Sequence, residues 1–497
     1  MDNHVQLITY TDRLGGGGLR ELQSLLEGPL DGLFGGVHIL PFYSPIDGAD
    51  TGFDPIDHRV VDPRIGGWDD IRSLSGMVEL TADVIVNHTS ADSREFRDYL
   101  ERGDESEFAS MFLTREKVFP SGPSEEDLAS IYRPRPSAPF RKLTPAGVGE
   151  RHFWTTFTEQ QIDLDVRDPA AIAYLKSILE LLAANGVTTV RLDAVGYAIK
   201  VAGTRCFMID DTYNFIDRVT AWAHALGLKV LAEIHAHYLQ QTRVSKHVDY
   251  VYDFALPPLI LHTLFKNDAR ALKNWLTMSP RNAITVLDTH DGIGVMDVGP
   301  DRLDPTTSGL IPPAQIDAMV EKVHANSGGL SREASSPDVG NLDLYQVNCT
   351  YFDALGGNEH DYLLARLIQF FAPGTPQVYY VGLLAGGNDR ALLEATGSGR
   401  DVNRAYYSLG DIETQLERPV VRHLLDLIRL RNACLAFGGS FELPESEDHV
   451  LRIERSLGDA QAELTIDFAN REFKVDCTID GQRRTTEQFA DVGNIIE

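Results

Sequence analysis

The chain has 497 residues, 43% hydrophobic and 24% charged, and its 45 basic against 73 acidic side chains leave a formal charge of −28. That length exceeds one ordinary core and calls for several domains or one barrel with insertions. The acidity argues against nucleic acid or an anionic membrane as partner, and no apolar run is long enough to span a bilayer.

In chain order, Met1-Asp2-Asn3-His4 runs directly into a strand-like segment with no basic-then-apolar leader, which predicts a cytoplasmic protein. Val5 to Tyr10 reads as a first strand, Gly15 to Gly18 as a flexible loop, and Leu19 to Leu26 as a helix. No Gly-Lys-Ser/Thr follows the glycines, so they do not form a phosphate loop. Gly36 to Pro41 is a second strand, Trp68 to Leu74 a helix, and Glu79 to Val86 a third strand. Strand–helix alternation is the rhythm of a parallel α/β sheet.

From Thr89 to Leu164 the rhythm stops, with an acidic patch at Ser124 to Asp127 and the proline-rich Tyr132 to Pro136. A stretch this long without periodicity predicts an inserted domain or functional loop region. Asp168 as N-cap and Pro169 at the first helical position restart a helix with an apolar stripe of Ile172, Leu175, Leu179 and Leu182, closed by Asn185-Gly186. The β-branched run Thr188 to Asp193 is the fourth strand. A helix from Thr212 to Leu226, the strand Lys229 to His235, a further helix, the strand Tyr250 to Phe254, helical segments at Leu259 to Leu264 and Ala271 to Leu276, and the strand Ala283 to Asp288 follow. A second interruption, Gly292 to Gly356, carries one helix at Ile311 to His324; the helix His360 to Phe371 and the strand Gln377 to Val381 bring the strands to eight.

Eight such units predict a (β/α)8 TIM barrel, with chemistry at the C-terminal strand ends. A doubly wound sheet is the alternative, without a glycine fingerprint to support it. Strict alternation at His449 to Glu454 and Ala462 to Asp467 predicts a small C-terminal antiparallel β domain. The expected division is barrel 1–88, inserted domain 89–167, barrel 168–291, inserted loop domain 292–356, barrel 357–436 and terminal β domain 437–497. Cys206, Cys349, Cys434 and Cys477 form no CxxC and read as free thiols.

Polar residues collect at the strand ends: Asn87 and His88, Arg191 and Asp193, Glu233 and His235, His290 and Asp291. Taken alone, Arg191–Asp193 is an ordinary structural ion pair. Four such clusters point to an active site, because buried charge is costly unless paired. Alternation puts Arg191 and Asp193 on one face of the strand, so the guanidinium is expected to keep Asp193 ionised as a nucleophile. Glu233, with no cation on its own strand face, is the expected acid and base, and Asp291 the anion that stabilises the glucosyl transition state. His88 and His290 are candidate donors to sugar hydroxyls. The His-x-His of His235 and His237 has metal-binding spacing but no third ligand, so no metal is expected.

Asp83 to His88, Arg191 to Gly196, Glu233 to His235 and Val286 to Asp291 resemble, in order, the four motifs of the α-amylase-type family, glycoside hydrolase family 13. Asp47 to Asp54, Ile131 to Pro136, Asn341 to Asn348 and Gly399 to Arg404 resemble its phosphorolysing branch, whose donor is sucrose. The likeness runs from Val5 to about Ala436 and fades in the terminal domain. It implies that Asp50, Phe53, His88, Arg191, His290 and Arg400 line a glucosyl pocket. It also implies that Arg135, Tyr345 and His235 serve phosphate, that Tyr197, Asp343 and Gln346 serve the fructosyl part, and that Tyr132 and Pro134 belong to the same acceptor site.

The expected reaction converts sucrose and inorganic phosphate, a co-substrate, into α-glucose 1-phosphate and fructose with no cofactor, through a β-glucosyl ester of Asp193. Mobile loops around Arg135 and Asp343–Gln346 would let one site meet fructose and phosphate in turn. A homodimer is implied by resemblance only. The competing readings are phosphorolysis of sucrose 6′-phosphate, glucosylglycerol or glucosylglycerate, and hydrolysis or transglucosylation of a related α-glucoside. A non-catalytic sugar-binding barrel is a reading of another class, although such relatives tend to lack one of the three carboxylates.

Overall fold

The computed structural model describes residues 3–48, 50–133, 139–302, 304, 306–336 and 346–496. Eight parallel strands close into a barrel: β1 Gln6–Thr9, β2 Gly36–Ile39, β3 Glu79–Ile85, β4 Val187–Asp193, β5 Lys229–Ala232, β6 Tyr250–Asp253, β7 Ala283–Thr285 and β8 Thr375–Tyr379. They pair in chain order, and β8 returns to β1 through Gln377 opposite Gln6. The later ladders stop earlier than expected: Glu233 and His235 lie past the end of β5, and Asp288 to Asp291 past that of β7. These residues therefore sit in the loops at the strands' C-terminal ends, where side chains are not confined to two faces.

Register decides what meets inside. Arg191 on β4 lies opposite Asp83 on β3 and Leu231 on β5. One side of the interior is polar: Asp83 accepts from His38 Nε2 at 2.9 Å and from Arg191 Nη1 at 2.5 Å. Tyr252 OH donates to Gln377 Oε1 at 3.0 Å and lies 3.2 Å from His38 Nδ1. The Tyr252 ring also belongs to an adjoining apolar cluster with Leu231, Phe254, Ile284 and Val286.

The helix Pro169–Ala184 forms as its sequence predicts: Asp168 caps Ala170 N at 2.9 Å, Pro169 opens it, and Gly186, at φ +86°, turns the chain into β4. Its buried stripe is Ala171, Tyr174, Leu175, Ile178, Leu179 and Leu182, whereas Ile172 is half-buried. The Gly15–Gly18 segment is not a free loop: Leu14–Gly15 pairs with Tyr407–Ser408.

The first insertion is more regular than its sequence suggests. It holds the helix Arg94–Arg102, capped by Ser93, and the antiparallel pair Phe140–Leu143 and Arg151–Trp154. The acidic patch is a capping box, with Ser124 and Asp127 bonding each other across the start of Glu125–Ser130. A buried Lys200–Asp163 ion pair, with Lys200 Nζ donating to Asn87 Oδ1 at 2.6 Å, ties this insertion to the barrel. The second insertion carries Leu330–Ala334 and Tyr351–Ala354 besides the expected helix, which runs Pro313–Asn326. The terminal sheet has five antiparallel strands in chain order: β9 Ser440–Glu442, β10 Val450–Leu457, β11 Ala460–Asp467, β12 Glu472–Ile479 and β13 Gln482–Thr486. All four cysteines are buried free thiols, and among the described residues no helix is long and apolar enough to cross a membrane.

Candidate active site

An open cavity of about 860 Å³ lies where the barrel strands end, and it gathers Asp50, Phe53, His88, Tyr132, Asp193, Tyr197, Glu233, His235, His290, Asp291, Gln346 and Arg400. Arg191, expected to line it, lies beneath the floor at 2% exposure, donating from one nitrogen to Asp83 and, at 2.9 Å, to Asp193. Pro134, Arg135, Asp343 and Tyr345 fall outside the described residues.

Asp193 ends β4, and the chain turns at once: Ala194 adopts φ +53° and a helical turn follows at Val195–Tyr197. That turn lets Ala194 N donate to Glu233 Oε2 at 3.3 Å, joining the two carboxyls through the backbone. Gly196 is required by crowding, since a Cβ there would lie 2.7 Å from Phe207 Cε2. Tyr132, Tyr197, Phe207 and Phe157 form one wall: Tyr132 stacks on Phe207 at 4.5 Å, and Phe157 meets Tyr197 edge-on at 5.2 Å. Phe53 stacks flat on His290 at 4.8 Å.

The charges differ from expectation in two places. Burial raises the Asp193 carboxyl well above its ordinary range; Arg191 pulls it down, while Glu233 and Asp83 push it up. Arg191 is shared with Asp83, so it does not hold Asp193 ionised on its own. The Glu233 carboxyl, linked to this turn through Ala194 N, is one of the charges that push Asp193 up. Glu233 does have a cation beside it, because His235 Nε2 lies 3.5 Å from its Oε1. Burial opposes charge on His235, yet Asp291 and Asp297 raise it to about 10, so it is an imidazolium. Asp291 is the firmly ionised carboxylate: burial works against this, but Arg400 at 2.9 Å and the cationic His235 bring it well below the ordinary range.

The neutral histidines divide their work. Burial pushes His290 down to about 3, and it faces Asp291 at 3.8 Å. Burial also lowers His88, whose Nε2 lies 3.0 Å from the carbonyl of Phe53. A neutral imidazole has one N–H, and here His88 directs it to that carbonyl while its ring lines the cavity. The His-x-His pair does not converge: His237 caps the helix Tyr238–Val244 through Leu239 N and donates to Ser308 O at 3.2 Å. Glu233, His235 and Asp291 do bring one ligand atom each within 4.8 Å.

Phe157, Gln161, Phe207, Met296 and Asp297 also line the cavity and were not anticipated. Asp83 carried one signal, an acid in the buried middle of a strand. Phe207 and Asp297 sit in aperiodic loops and carried none.

A family model described as alpha amylase, catalytic domain, matches residues 32–249. The chain is 56% identical over 469 residues to a sucrose phosphorylase of Agrobacterium vitis, covering 94% of this chain and 96% of that one. It is 49% identical to a sucrose phosphorylase of Bifidobacterium adolescentis, covering 94% and 92%. The crystal structure of sucrose 6F-phosphate phosphorylase from Thermoanaerobacter thermosaccharolyticum superposes with a TM-score of 0.88 at 35% identity, covering 98% and 99%. Barrel, ordered motifs and full-length likeness agree: the chain belongs to the α-amylase-type family, glycoside hydrolase family 13, within its group of sugar phosphorylases that includes the sucrose phosphorylases.

Proposed function

We infer that this protein is a sucrose phosphorylase, which moves the glucosyl group of sucrose reversibly to inorganic phosphate. The observation that carries this is the meeting, in one cavity of a chain of this lineage, of three carboxylates, Asp193, Glu233 and Asp291, with a cationic His235.

In the first step Asp193 attacks the anomeric carbon and the bond to the fructosyl oxygen breaks. Glu233 gives its proton to that oxygen, so fructose leaves neutral and a β-glucosyl ester remains. Asp291, kept ionised by Arg400, opposes the positive charge that develops on the sugar ring. Phe53 stacked on His290 forms a flat platform for the glucosyl ring, and Arg400 also reaches Asp50 at 3.6 Å. In the second step a phosphate oxygen attacks from the side fructose left. The Asp193 carboxylate departs, and the product regains the α configuration.

Arg135, Tyr345 and His235 are assigned to phosphate, and Tyr132, Pro134, Tyr197, Asp343 and Gln346 to the fructosyl side. The reading needs no metal or organic cofactor. It includes a cytoplasmic location, a homodimer, and the domain division drawn from the sequence.

The test is incubation with sucrose, with and without phosphate. Phosphate-dependent glucose 1-phosphate with equimolar fructose is expected; free glucose at the same rate in both would make the protein a hydrolase.

A further inference from the structure

Phosphate must enter a cavity whose described walls carry Asp50, Asp193, Glu233 and Asp291. On the acceptor side His235 supplies positive charge against them, and the groups around its ring set whether that charge exists. From its own segment Glu233 Oε1 faces Nε2 at 3.5 Å, and from beyond β7 Asp291 Oδ2 faces the same nitrogen at 3.8 Å. From the helical turn Met296–Val298, Asp297 Oδ2 faces Nδ1 at 3.8 Å. From the end of β6 comes the uncharged ring of Phe254, stacked at 3.9 Å. Further out, Arg400 sits on Asp291, and Asp253 acts on Asp297 at longer range.

Of the three facing carboxylates, Glu233 and Asp291 belong to the reacting centre, and substrate engages them during turnover. Asp297 stands outside that centre. It is fully buried, and its Oδ1 accepts from Ala236 N at 3.3 Å and Gln241 Nε2 at 2.8 Å. Its Oδ2 has no hydrogen-bond partner among the described residues and neither does His235 Nδ1, so the two face each other alone. Gly294 keeps that line open, for a Cβ there would lie 2.4 Å from Asp297 Oδ2 and 3.5 Å from His235 Nδ1.

We propose that Asp297 is the positioning residue that keeps His235 cationic in the acceptor half of the cavity, so that phosphate meets a charged donor there rather than a neutral imidazole. The inference rests on the phosphorylase reading above and names the group that would favour phosphate over water as acceptor. The charge on His235 is maintained against burial, in the direction that three facing carboxylates demand.

The variant Asp297→Asn isolates the claim. Its amide oxygen can keep both Oδ1 hydrogen bonds, while its N–H would point at Nδ1 and suit a neutral ring. Two readouts are taken. The first is the titration of the His235 ring by NMR of 13C-histidine-labelled protein, assigned with His235→Asn. It should remain protonated beyond about pH 8 in the wild type and titrate about one unit lower or more in Asp297→Asn. The second is the ratio of phosphorolysis to hydrolysis of sucrose. It should fall about tenfold at about pH 8.5 and less at about pH 6, since a charge-assisted hydrogen bond is lost. A merely structural role would lower both rates together and leave the ratio unchanged.

A wild-type His235 titrating near the ordinary 6.5 overturns the proposal, even if Asp297→Asn fails to fold. An unchanged titration and ratio in a folded variant overturn it equally. Should the wild type form no glucose 1-phosphate, the functional reading fails, while the titration still decides whether Asp297 sets the charge.

Discussion

Replacing Asp83 by Asn tests the polar floor beneath the cavity. The carboxyl is fully buried and accepts from Arg191 Nη1 at 2.5 Å and His38 Nε2 at 2.9 Å. Burial raises it, but Arg191 and His38 outweigh burial and bring it to about 2. A fall from the ordinary 3.8 to about 2 corresponds to about 2 kcal/mol of stability at neutral pH. Removing one partner from a buried ion pair commonly costs about 3–5 kcal/mol, so a loss of about 2–5 kcal/mol is expected. Because the folded value is depressed, the wild-type advantage is present above 3.8 and is lost as pH falls through about 2. Urea unfolding of both proteins should show the gap at pH 7 and its narrowing below about pH 4.

The same change reaches the chemistry. Asp193 loses a negative neighbour that raises it and gains the undivided guanidinium of Arg191, so the acid limb of kcat/KM should move to lower pH. A variant with wild-type unfolding and an unmoved acid limb would refute the argument that Asp83 shares Arg191.

Gly196→Ala places a methyl group 2.7 Å from Phe207 and 3.2 Å from Met208 Sδ. Overpacking of this kind costs about 1–3 kcal/mol, and displacement of the aromatic wall should raise KM for sucrose; steady-state kinetics with an unchanged KM would count against that wall as an acceptor surface. Burial raises Asp253 to about 7, above its unfolded value, so its contribution is present below 3.8 and is lost as pH rises through 7. Asp253→Asn, which can still accept from Leu256 N and Trp275 Nε1, should therefore gain stability relative to the wild type between about pH 5 and pH 8. Urea midpoints that keep a constant difference across that range would contradict the raised value.

The barrel was legible because its strands are β-branched runs separated by amphipathic helices, and period distinguishes the two. The helix Pro169–Ala184 was read at both ends because Asp168, Pro169 and Gly186 are local signals. Arg94–Arg102 was missed because Phe96 and Tyr99 are its only large buried apolar residues, too few to show a period. The three carboxylates were found from strand ends and ordered motifs, but their charge states were not. Those depend on Asp83 lying opposite Arg191 and on His235 reaching Glu233, and pairing across a sheet or between loops leaves no trace in local sequence. Phe207 reaches the cavity from an aperiodic loop and Asp297 from the short turn Met296–Val298, neither of which offers a period to read.

The central claim is a glucosyl group carried on Asp193 and removed by phosphate. It is tested most directly with Glu233→Gln and α-glucosyl fluoride, whose leaving group needs no acid. Peptide mass mapping of the quenched protein should find one hexosyl unit on the peptide containing Asp193, and added phosphate should discharge it as α-glucose 1-phosphate faster than water does. A label on another carboxylate, or one that phosphate leaves in place, would contradict the account.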